Sequence, residues 1–425
     1  MRRPSGSVEV VVTAADHATG LGTARAVAGA DVKVTGLCRV PTAPSCRSRV
    51  WNRLITVPAE PSATLEALLN LPRQSSEPRV LLPADDESMQ LVSRHRDELG
   101  RHYAFVLPPP NVVDLLLDKT EFHAWASERG FPVPETHVAE NEGDLAAILS
   151  DIRYPVVLKP LHHTPGWEEK SPNHKAYKLF SKDALRSIGF SVFDAAPKFV
   201  VQRWIEGGDD CVHFCLTYVN AAGDEAGAYT GRKYLQWPPQ TGSTAICVGE
   251  SNPALLDLTR AVWQAAGFRG LGSVEAKYCV DDGEYYITEP TVGRNNLQSY
   301  VAVAGGVNMT RLALHDALGS PVVASPRPRG AVWINEPFAI LALREAFARR
   351  KPERRTLRRL FTALRSVAFA YFSWADPFPF LDVARTSLQR LLGASAAPEG
   401  RPARNVTIAG HRPQLPRSAG GAVAS

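Results

Sequence analysis

The sequence predicts a protein of mixed α/β and α+β class with two or three domains. Its 425 residues are too many for one ordinary hydrophobic core. A strand–helix–strand rhythm opens the chain, which is typical of a parallel sheet with both faces covered. Farther on, the sequence predicts short strands that end in charged residues, together with helices and a hairpin turn. The hydrophobic fraction of 44% is that of a globular protein.

The first two strands are predicted at residues 8–13 and 31–37, with a helix between them. The turn after the first strand lacks the full three-glycine dinucleotide fingerprint. We therefore interpret this region as a structural α/β module rather than a nucleotide site. A further strand at 79–83 is followed by the acidic run 85–87, which we interpret as the cap of the next helix.

Charge is unevenly distributed along the chain. The net charge is +5, but residues from Pro321 onward hold 17 Lys+Arg and 6 Asp+Glu, a balance of +11. The residues before Pro321 hold 31 Lys+Arg and 37 Asp+Glu, a balance of −6. The six cysteines have no paired framework spacing, which favours reduced thiols. Because we find neither a signal-peptide pattern nor a membrane-spanning apolar run, we expect a cytoplasmic protein.

Lysines stand at several predicted element boundaries. A predicted helix at 111–129 holds Lys119, an apolar strand ends at Lys159, and the next strand starts with Lys175. A lysine that emerges from a buried strand suits a phosphate group, and a snorkelling edge residue is the alternative.

The strand at 198–205 runs into a glycine pair and two acids. In the following strand, 211–219, period-two alternation puts Cys211, His213 and Cys215 on one face. This pattern suggests a zinc site, but a fourth ligand is not in evidence. We interpret it as a buried strand face.

Two acids lie on strands that the sequence pairs as a hairpin. Glu275 and Glu289 flank a turn signal at Asp282–Gly283. Carboxylate oxygens are the ligands that Mg²⁺ prefers, so the hairpin predicts a site for a metal ion and a charged substrate. An earlier strand ends with Arg232 and Lys233, which are our candidates for binding the carboxylate of an acyl substrate.

This order of parts resembles the ATP-grasp superfamily, and within it the predicted carboxylate–amine ligases, over about residues 8–319. The resemblance implies a Rossmann-like, pre-ATP-grasp domain followed by two α+β lobes that hold ATP. On this basis we predict an N-terminal domain at 1–110, a small lobe at 111–200, a large lobe with the metal site at 201–320, a basic helical extension at 321–393 and a disordered tail at 394–425.

The resemblance also implies roles for individual residues. The implied ATP-binding residues are Lys119, Lys159, Lys175 (with Lys178 as its alternative), Gln202, Arg203, Trp204, Ile205 and Asp209. The implied metal carboxylates are Glu275 and Glu289. Arg294 would stabilise the transferring phosphoryl group and contact substrate, with Lys159 as a second catalytic cation.

Three departures from the family pattern affect the site. Thr291 stands where an asparagine metal ligand is expected, so we take Thr291 or Asn295 as the third ligand, with Asn296 as an alternative. Arg294 lies one position later than in the commonest pattern. The loop after Lys159 has a single glycine, where a glycine-rich phosphate-covering loop is common.

The implied activity is an ATP-dependent ligation. A carboxylate is activated as an acyl phosphate and joined to an amine, which gives an amide, ADP and phosphate. The implied cofactors are ATP and Mg²⁺, with Mn²⁺ as an alternative ion. Two other functions stay open: an ATP-grasp enzyme with a thiol acceptor or an acyl-phosphate product, and an inactive ATP-binding scaffold.

The C-terminal part predicts helices. One spans 331–350, and a second from Glu353 has an apolar stripe from Leu357 to Tyr371 opposite a row of arginines. We expect the stripe to pack on the body of the protein. The alternative is peripheral contact with an anionic membrane or a polyanionic acceptor. The expected partners are small-molecule carboxylate and amine substrates, and we expect no nucleic acid.

Overall fold

The structure is a computed structural model, and it forms two compact units. Unit 1 comprises Met1–Val133 and Ile205–Arg401, and unit 2 comprises Pro134–Trp204 and Pro402–Ser425. Unit 2 therefore begins at Pro134, whereas the small lobe was predicted to begin at residue 111. The structure describes residues 8–71, 79–160, 174–193, 198–321, 328–348, 366–391 and 405–409.

The described residues form strands and helices in alternation, with short 3-10 turns at Pro44–Arg47 and Asp209–Cys211. The strands are β1 Val8–Val12, β2 Val32–Cys38, β3 Arg53–Thr56, β4 Arg79–Leu82, β5 Thr136–Ala139, β6 Val156–Pro160, β7 His174–Leu179, β8 Phe199–Arg203, β9 Val212–Val219, β10 Glu225–Trp237, β11 Ser243–Gly249, β12 Gly270–Tyr278, β13 Tyr285–Val292, β14 Val332–Ile334, β15 Val367–Phe369 and β16 Asn405–Ala409. The helices are α1 Ala18–Val27, α2 Pro61–Asn70, α3 Asp86–Arg94, α4 Arg96–Leu99, α5 Pro110–Leu117, α6 Lys119–Glu128, α7 Glu142–Asp151, α8 Lys182–Val192, α9 Pro253–Ala266, α10 Tyr300–Ala304, α11 Met309–Ala317, α12 Glu336–Ala348 and α13 Phe378–Leu391.

The N-terminal sheet is parallel, as predicted. Its strand order is β3-β2-β1-β4, and each neighbouring pair runs in the same direction. The strands are rich in valine and leucine, which matches burial on both faces. At the end of β4, the side chain of Asp85 accepts a hydrogen bond from the amide of Ser88 and caps α3, as expected for the acidic run.

The second sheet of unit 1 has seven strands in the order β13-β12-β9-β10-β11-β14-β15. All its neighbouring strands are antiparallel except β14 and β15. One face packs against α9 through Cys215, Val262 and Trp263, and the other buries Phe214, Tyr218 and Trp333. The central strand β9 is buried at every position, so His213 and Cys215 lie in a core strand as interpreted, whereas Cys211 ends the preceding 3-10 turn and is partly buried.

Unit 2 is built on a five-stranded sheet in the order β16-β7-β6-β8-β5. Helices α7 and α8 cover one face, where Leu145, Leu158 and Phe199 pack together. The edge strand β16 pairs in parallel with β7. This strand lies in the tail that we predicted to be disordered, so that prediction is wrong for residues 405–409.

Two helix predictions need correction. The helix expected over 111–129 is two helices, because the side chain of Asp118 accepts hydrogen bonds from the amides of Thr120 and Glu121 and starts α6. The helix expected over 331–350 begins with strand β14, whose β-branched and aromatic residues pair with β11.

The C-terminal extension is described in part. Residues 349–365, which hold most of the predicted basic helix, lie outside the described residues. Its predicted last turn instead forms strand β15, which pairs with β14. Within the described ranges, every helix is too short or too polar to cross a lipid bilayer.

Candidate functional site

The hairpin of β12 and β13 places two carboxylates directly opposite each other. Glu275 and Glu289 are cross-strand partners, as the sequence predicted, and the connecting turn has Gly283 at φ 76°. Strand β13 continues through Val292, so Glu289 lies within the strand and not at its end. Like charges that face each other across a sheet are destabilising. The arrangement therefore needs cations to offset the repulsion.

A β-bulge adjoins the pair. Glu275 pairs with Glu289, but the next residue, Ala276, pairs with Ile287, which leaves Thr288 as the extra residue. The hydroxyl of Thr288 donates to the carbonyl of Glu275 at 3.1 Å. Bulges are frequent next to active sites, where they redirect a side chain.

Lys119 supplies the first cation. It is the first residue of α6, because Asp118 caps that helix. Its Nζ lies 2.9 Å from the carboxylate of Glu289, and both side chains are at least half exposed. The negative charge of Glu289 raises the pKa of Lys119, with further contributions from Asp86 and Glu275. The lysine therefore stays cationic beside the acid pair.

Lys233 supplies the second cation. Its Nζ lies 2.9 Å from the carboxylate of Glu275, with the lysine side chain 6% exposed. The same Nζ also donates to the amide oxygen of Gln236 at 3.3 Å. Each glutamate of the pair is thus held by its own lysine.

Asp209 is hydrogen-bonded to Gln236, which is itself a partner of Lys233. Its carboxylate accepts hydrogen bonds from the backbone amide and the side chain of Gln236, and from the amide of Gln240. Burial raises its pKa although these hydrogen bonds act in the opposite direction. The predicted ribose-binding acid therefore fixes the end of β10, so we withdraw the ribose role.

Arg294 follows the hairpin through a glycine that its backbone requires. Gly293 has φ 65°, and a β-carbon there would lie 2.2 Å from the sulfur of Met89. The Nε of Arg294 donates to Asp86 at 2.6 Å, and Nη1 donates to the carbonyl of Asn295. Asp86 also acts electrostatically on Lys119. The start of α3 thus adjoins the pair Glu275 and Glu289.

The carboxamide nearest to the acid pair is Asn296, not Asn295. Ser273 lies opposite Thr291 and two residues before Glu275, hence on the same face of the sheet. Asn296 donates to the hydroxyl of Ser273 at 3.0 Å. Asn295 is 7% exposed and its amide nitrogen donates to two other residues, Thr23 and Thr310. Its assignment as a metal ligand is therefore wrong, and Thr291, 6% exposed, stays a weaker candidate.

Arg232 lies on the opposite face of the sheet from the acid pair. It pairs with His213 across β9, and His213 pairs with Ala276, the neighbour of Glu275. Its guanidinium lies 3.0 Å from the carboxylate of Glu250. Adjacent residues of a strand point to opposite faces, so Arg232 and Lys233 do not serve one site. The substrate role predicted for Arg232 is wrong.

The environment of His213 makes it a neutral, buried group. Burial, together with the charge of Arg232, lowers its pKa to about 4. The carboxylate of Glu250 is 3.8 Å away but is already paired with Arg232, so burial dominates. The amide of Asn252 lies 3.3 Å from Nδ1 and donates to the hydroxyl of Tyr285 at 2.8 Å.

The buried neutral histidine predicts an acid-sensitive fold. The unfolded chain binds a proton at His213 near pH 6.5, whereas the folded chain does so only near pH 4, so stability falls as the pH drops through that window. His213→Gln is expected to reduce the stability difference between about pH 7.5 and about pH 4.5 by about 2–3 kcal/mol. Urea unfolding of both proteins at the two pH values measures it. Identical pH dependence in the two proteins would contradict the assignment.

In unit 2, four polar side chains share one face of the sheet. Lys159 donates to the amide oxygen of Gln202 at 3.3 Å, and Gln202 donates to Thr136 at 2.7 Å. Lys178 lies on the same face, since its cross-strand partner Val157 is also the partner of Gln202. Its Nζ lies 4.2 Å from the ring centroid of Trp204. This face thus unites the lysine and glutamine predicted to bind ATP.

The remaining predicted ATP-binding residues have mixed outcomes. Arg203 ends β8, and its backbone amide donates to the carbonyl of Glu135. Trp204 and Ile205 are buried. Lys175 belongs to β7, but its side chain lies outside the described residues, and the described geometry supports its alternative, Lys178.

Sequence reasoning missed two residues that the structure brings to the site, Asp86 and Gln236. The acidic run before α3 was a visible signal for Asp86, but its partner Arg294 lies 208 residues away. No local pattern reports such a pairing.

A cleft of about 50 Å³ opens at the carboxyl ends of the N-terminal strands. Its polar lining includes Asp16, Arg39, Asp85 and Glu87. Asp85 and Glu87 flank Asp86, the partner of Arg294, so the first turn of α3 connects the cleft to the acid pair. Crevices at this edge of parallel sheets are common ligand sites.

No protein-family model matches the chain. Among curated proteins it is similar to the D-aspartate ligase of Enterococcus faecium, with 23% identity over 265 residues, or 59% of this chain and 62% of that protein. It is also similar to the C-terminal section of the carbamoyl phosphate synthase large chain of Methanopyrus kandleri, with 21% identity over 50% of this chain and 39% of that protein. The chain thus spans less than two thirds of each of these relatives.

Solved structures share the fold. An N5-carboxyaminoimidazole ribonucleotide synthetase bound to ADP superposes with a TM-score of 0.59 at 15% identity, covering 78% of this chain and 81% of that one. A second structure is the biotin carboxylase domain of a Hydrogenobacter thermophilus 2-oxoglutarate carboxylase, in complex with MgADP, ADP and bicarbonate. It superposes with a TM-score of 0.58 at 14% identity, covering 76% of this chain and 73% of that one. These similarities confirm the ATP-grasp fold predicted from the sequence.

Proposed function

We propose that this protein is an ATP-dependent carboxylate–amine ligase. The observation that carries the proposal is the direct opposition of Glu275 and Glu289, each held by a separate lysine. A sheet built only for stability avoids facing acids. A site that binds a divalent cation together with phosphate groups uses such acids as ligands of the cation.

The donor set fits magnesium. Two carboxylates face each other, and both are hard oxygen donors. We propose Glu275 and Glu289 as the magnesium carboxylates. Bound magnesium would neutralise charge on the phosphate oxygens of ATP.

The cations have separate tasks in the proposed reaction. In unit 1, Lys119 and Arg294 would stabilise negative charge on the transferred phosphoryl group, while Lys233 would orient the substrate carboxylate. In unit 2, Lys159, Lys178 and Gln202 would bind the nucleotide. Phosphoryl transfer depends mainly on such positioning and charge neutralisation.

Two bond exchanges complete the proposed chemistry. A carboxylate oxygen attacks the γ-phosphorus, which forms an acyl phosphate and releases ADP. The ammonium group of the amine substrate first loses a proton to solvent, and the neutral nitrogen then attacks the acyl carbon. The phosphate leaves with the former carboxylate oxygen, and the nitrogen loses a second proton to give the amide. The acidic lining of the N-terminal cleft suits a cationic ammonium group, so we propose that the amine substrate enters there.

Isotope transfer tests the proposal. The full chain would be incubated with Mg·ATP and an ¹⁸O-labelled carboxylate, starting with D-aspartate and bicarbonate, which the names of the similar proteins suggest, together with a panel of amines. We expect ADP, an amide and phosphate that carries one ¹⁸O atom. A labelled acyl phosphate or thioester as the final product would assign a different acceptor. Tight ATP binding without turnover across the panel would favour an inactive scaffold.

A further inference from the structure

A loop and helix near the C-terminus of unit 1 expose large apolar side chains. Trp374 is 90% exposed, Leu381 is 55% exposed and Phe378 is 40% exposed. Phe378 and Leu381 are three residues apart on α13 and therefore share a face. We call these three residues the Trp374 surface. A cluster of exposed large apolar side chains, unlike a single one, is typical of an interaction site.

The loop that bears Trp374 is fixed by a buried acid. The carboxylate of Asp376 accepts hydrogen bonds from the hydroxyl of Ser48, the amide of Arg49 and the guanidinium of Arg25. Arg25 also donates to the carbonyl of Tyr371 at 2.8 Å. Burial alone would raise the pKa of Asp376, but these bonds lower it. The carboxylate of Asp376 thus stays charged. Its hydrogen bonds fix the loop at Asp376, and the bond from Arg25 fixes it at Tyr371.

Aromatic packing orients the exposed rings. Phe372 contacts Trp374 with a centroid distance of 4.9 Å and Phe380 with a distance of 5.5 Å, both edge-on. The indole therefore rests on an aromatic base while it projects into solvent. A pinned loop with an exposed tryptophan is preorganised, so binding through it costs little conformational entropy.

Cations border the Trp374 surface. The guanidinium of Arg49 lies 4.4 Å from the ring centroid of Phe378. Arg385 is 64% exposed, follows Leu381 by four residues on the same helical face, and forms a surface ion pair with Asp382 at 3.1 Å. The sequence of the C-terminal part is also basic, since residues 349–365, which lie outside the described residues, contain eight Lys+Arg and one acid. Apolar side chains bordered by arginines, in a basic part of the chain, match the layered chemistry of an anionic lipid surface.

We propose that the Trp374 surface docks on an anionic phospholipid bilayer. Trp374, Phe378 and Leu381 enter the interfacial region, and Arg49 and Arg385 contact lipid phosphates. Tryptophan suits that depth, because its ring is apolar and its indole N–H stays near polar groups. The active chain would then work at a membrane surface without spanning it.

Vesicle sedimentation of the full chain tests the proposal. We expect binding to phosphatidylcholine vesicles that contain phosphatidylglycerol, weaker binding to pure phosphatidylcholine, and loss of binding with added salt. The variant Trp374→Ala with Leu381→Ala should weaken binding by roughly tenfold or more. In brominated-lipid vesicles, Trp374→Phe should remove most of the fluorescence quenching.

Matched variants control for nonspecific adhesion. Val280→Ala and Phe190→Ala remove side chains that are 58% and 39% exposed elsewhere, and both should bind vesicles like the unaltered chain. The thermal unfolding of all variants should be unchanged. The proposal is overturned if the full chain ignores anionic vesicles or if the double variant binds equally well. It is also overturned if the double variant only abolishes self-association, which would assign the surface to a second copy of the chain.

Discussion

Glu289→Gln is expected to lower the rate of ATP-dependent product formation by about 1,000-fold while the protein stays folded. The substitution removes one of the two carboxylates proposed to hold magnesium. Its effect on stability should be below about 1 kcal/mol, because the ion pair with Lys119 is solvent-exposed. Relief of the repulsion with Glu275 acts in the stabilising direction. ADP release under saturating substrate, together with urea unfolding, measures both effects.

Glu284→Gln is the matched control, since it removes an exposed acid from the same hairpin. This variant should keep full activity. A Glu289→Gln protein that turns over at the normal rate would show that the acid pair is not the metal site. If both variants lost activity equally, the effect would reflect the charge of the hairpin as a whole.

Glu275→Ala should both abolish turnover and destabilise the protein by about 3 kcal/mol. Unlike Glu289, Glu275 is paired with a lysine that is 6% exposed. Removal of the acid leaves the ammonium group of Lys233 buried with only Gln236 as a hydrogen-bond partner in the described network. The free energy of unfolding from urea titration measures the cost.

A double-mutant cycle isolates the interaction of the pair. Addition of Lys233→Met to Glu275→Ala should recover most of the lost stability, because no uncompensated charge then remains buried. Activity should stay abolished, since the metal carboxylate is still missing. Additive destabilisation by the two substitutions would contradict the proposed coupling.

The parts of the site that local rules govern were predictable. The Asp282–Gly283 turn predicted that Glu275 and Glu289 lie on paired strands of a hairpin, and the register confirms it. The parallel N-terminal sheet followed from its strand–helix–strand rhythm. Period-two alternation also argued against joint use of Arg232 and Lys233, a consequence that we did not draw from the sequence.

The parts that depend on distant partners were not predictable. Asn295 and Asn296 are neighbours, and only the position of Thr23 and Thr310 in the fold decides that the first is buried. Asp209 was expected to face a ribose, but the end of β10 supplies it with amide donors. Such assignments depend on tertiary contacts that one sequence does not encode locally.

The break at Asp118 shows how one capping residue affects a site. In an uninterrupted helix, Lys119 would be an interior residue. The Asp118 cap instead makes Lys119 the first residue of a new helix. The sequence contained the signal, an aspartate three residues before a possible partner amide, but the long apolar pattern outweighed it.

The path of the chain through unit 1 has a consequence for its biosynthesis. The four parallel strands lie within the first 82 residues and can pair as soon as they leave the ribosome. Asp86 and Lys119 emerge next, yet their partners Arg294 and Glu289 follow only after all of residues 134–204 have been made. Closing such long loops is slow and entropically costly. A nascent chain should therefore acquire its first sheet early and its acid pair among the last features to form.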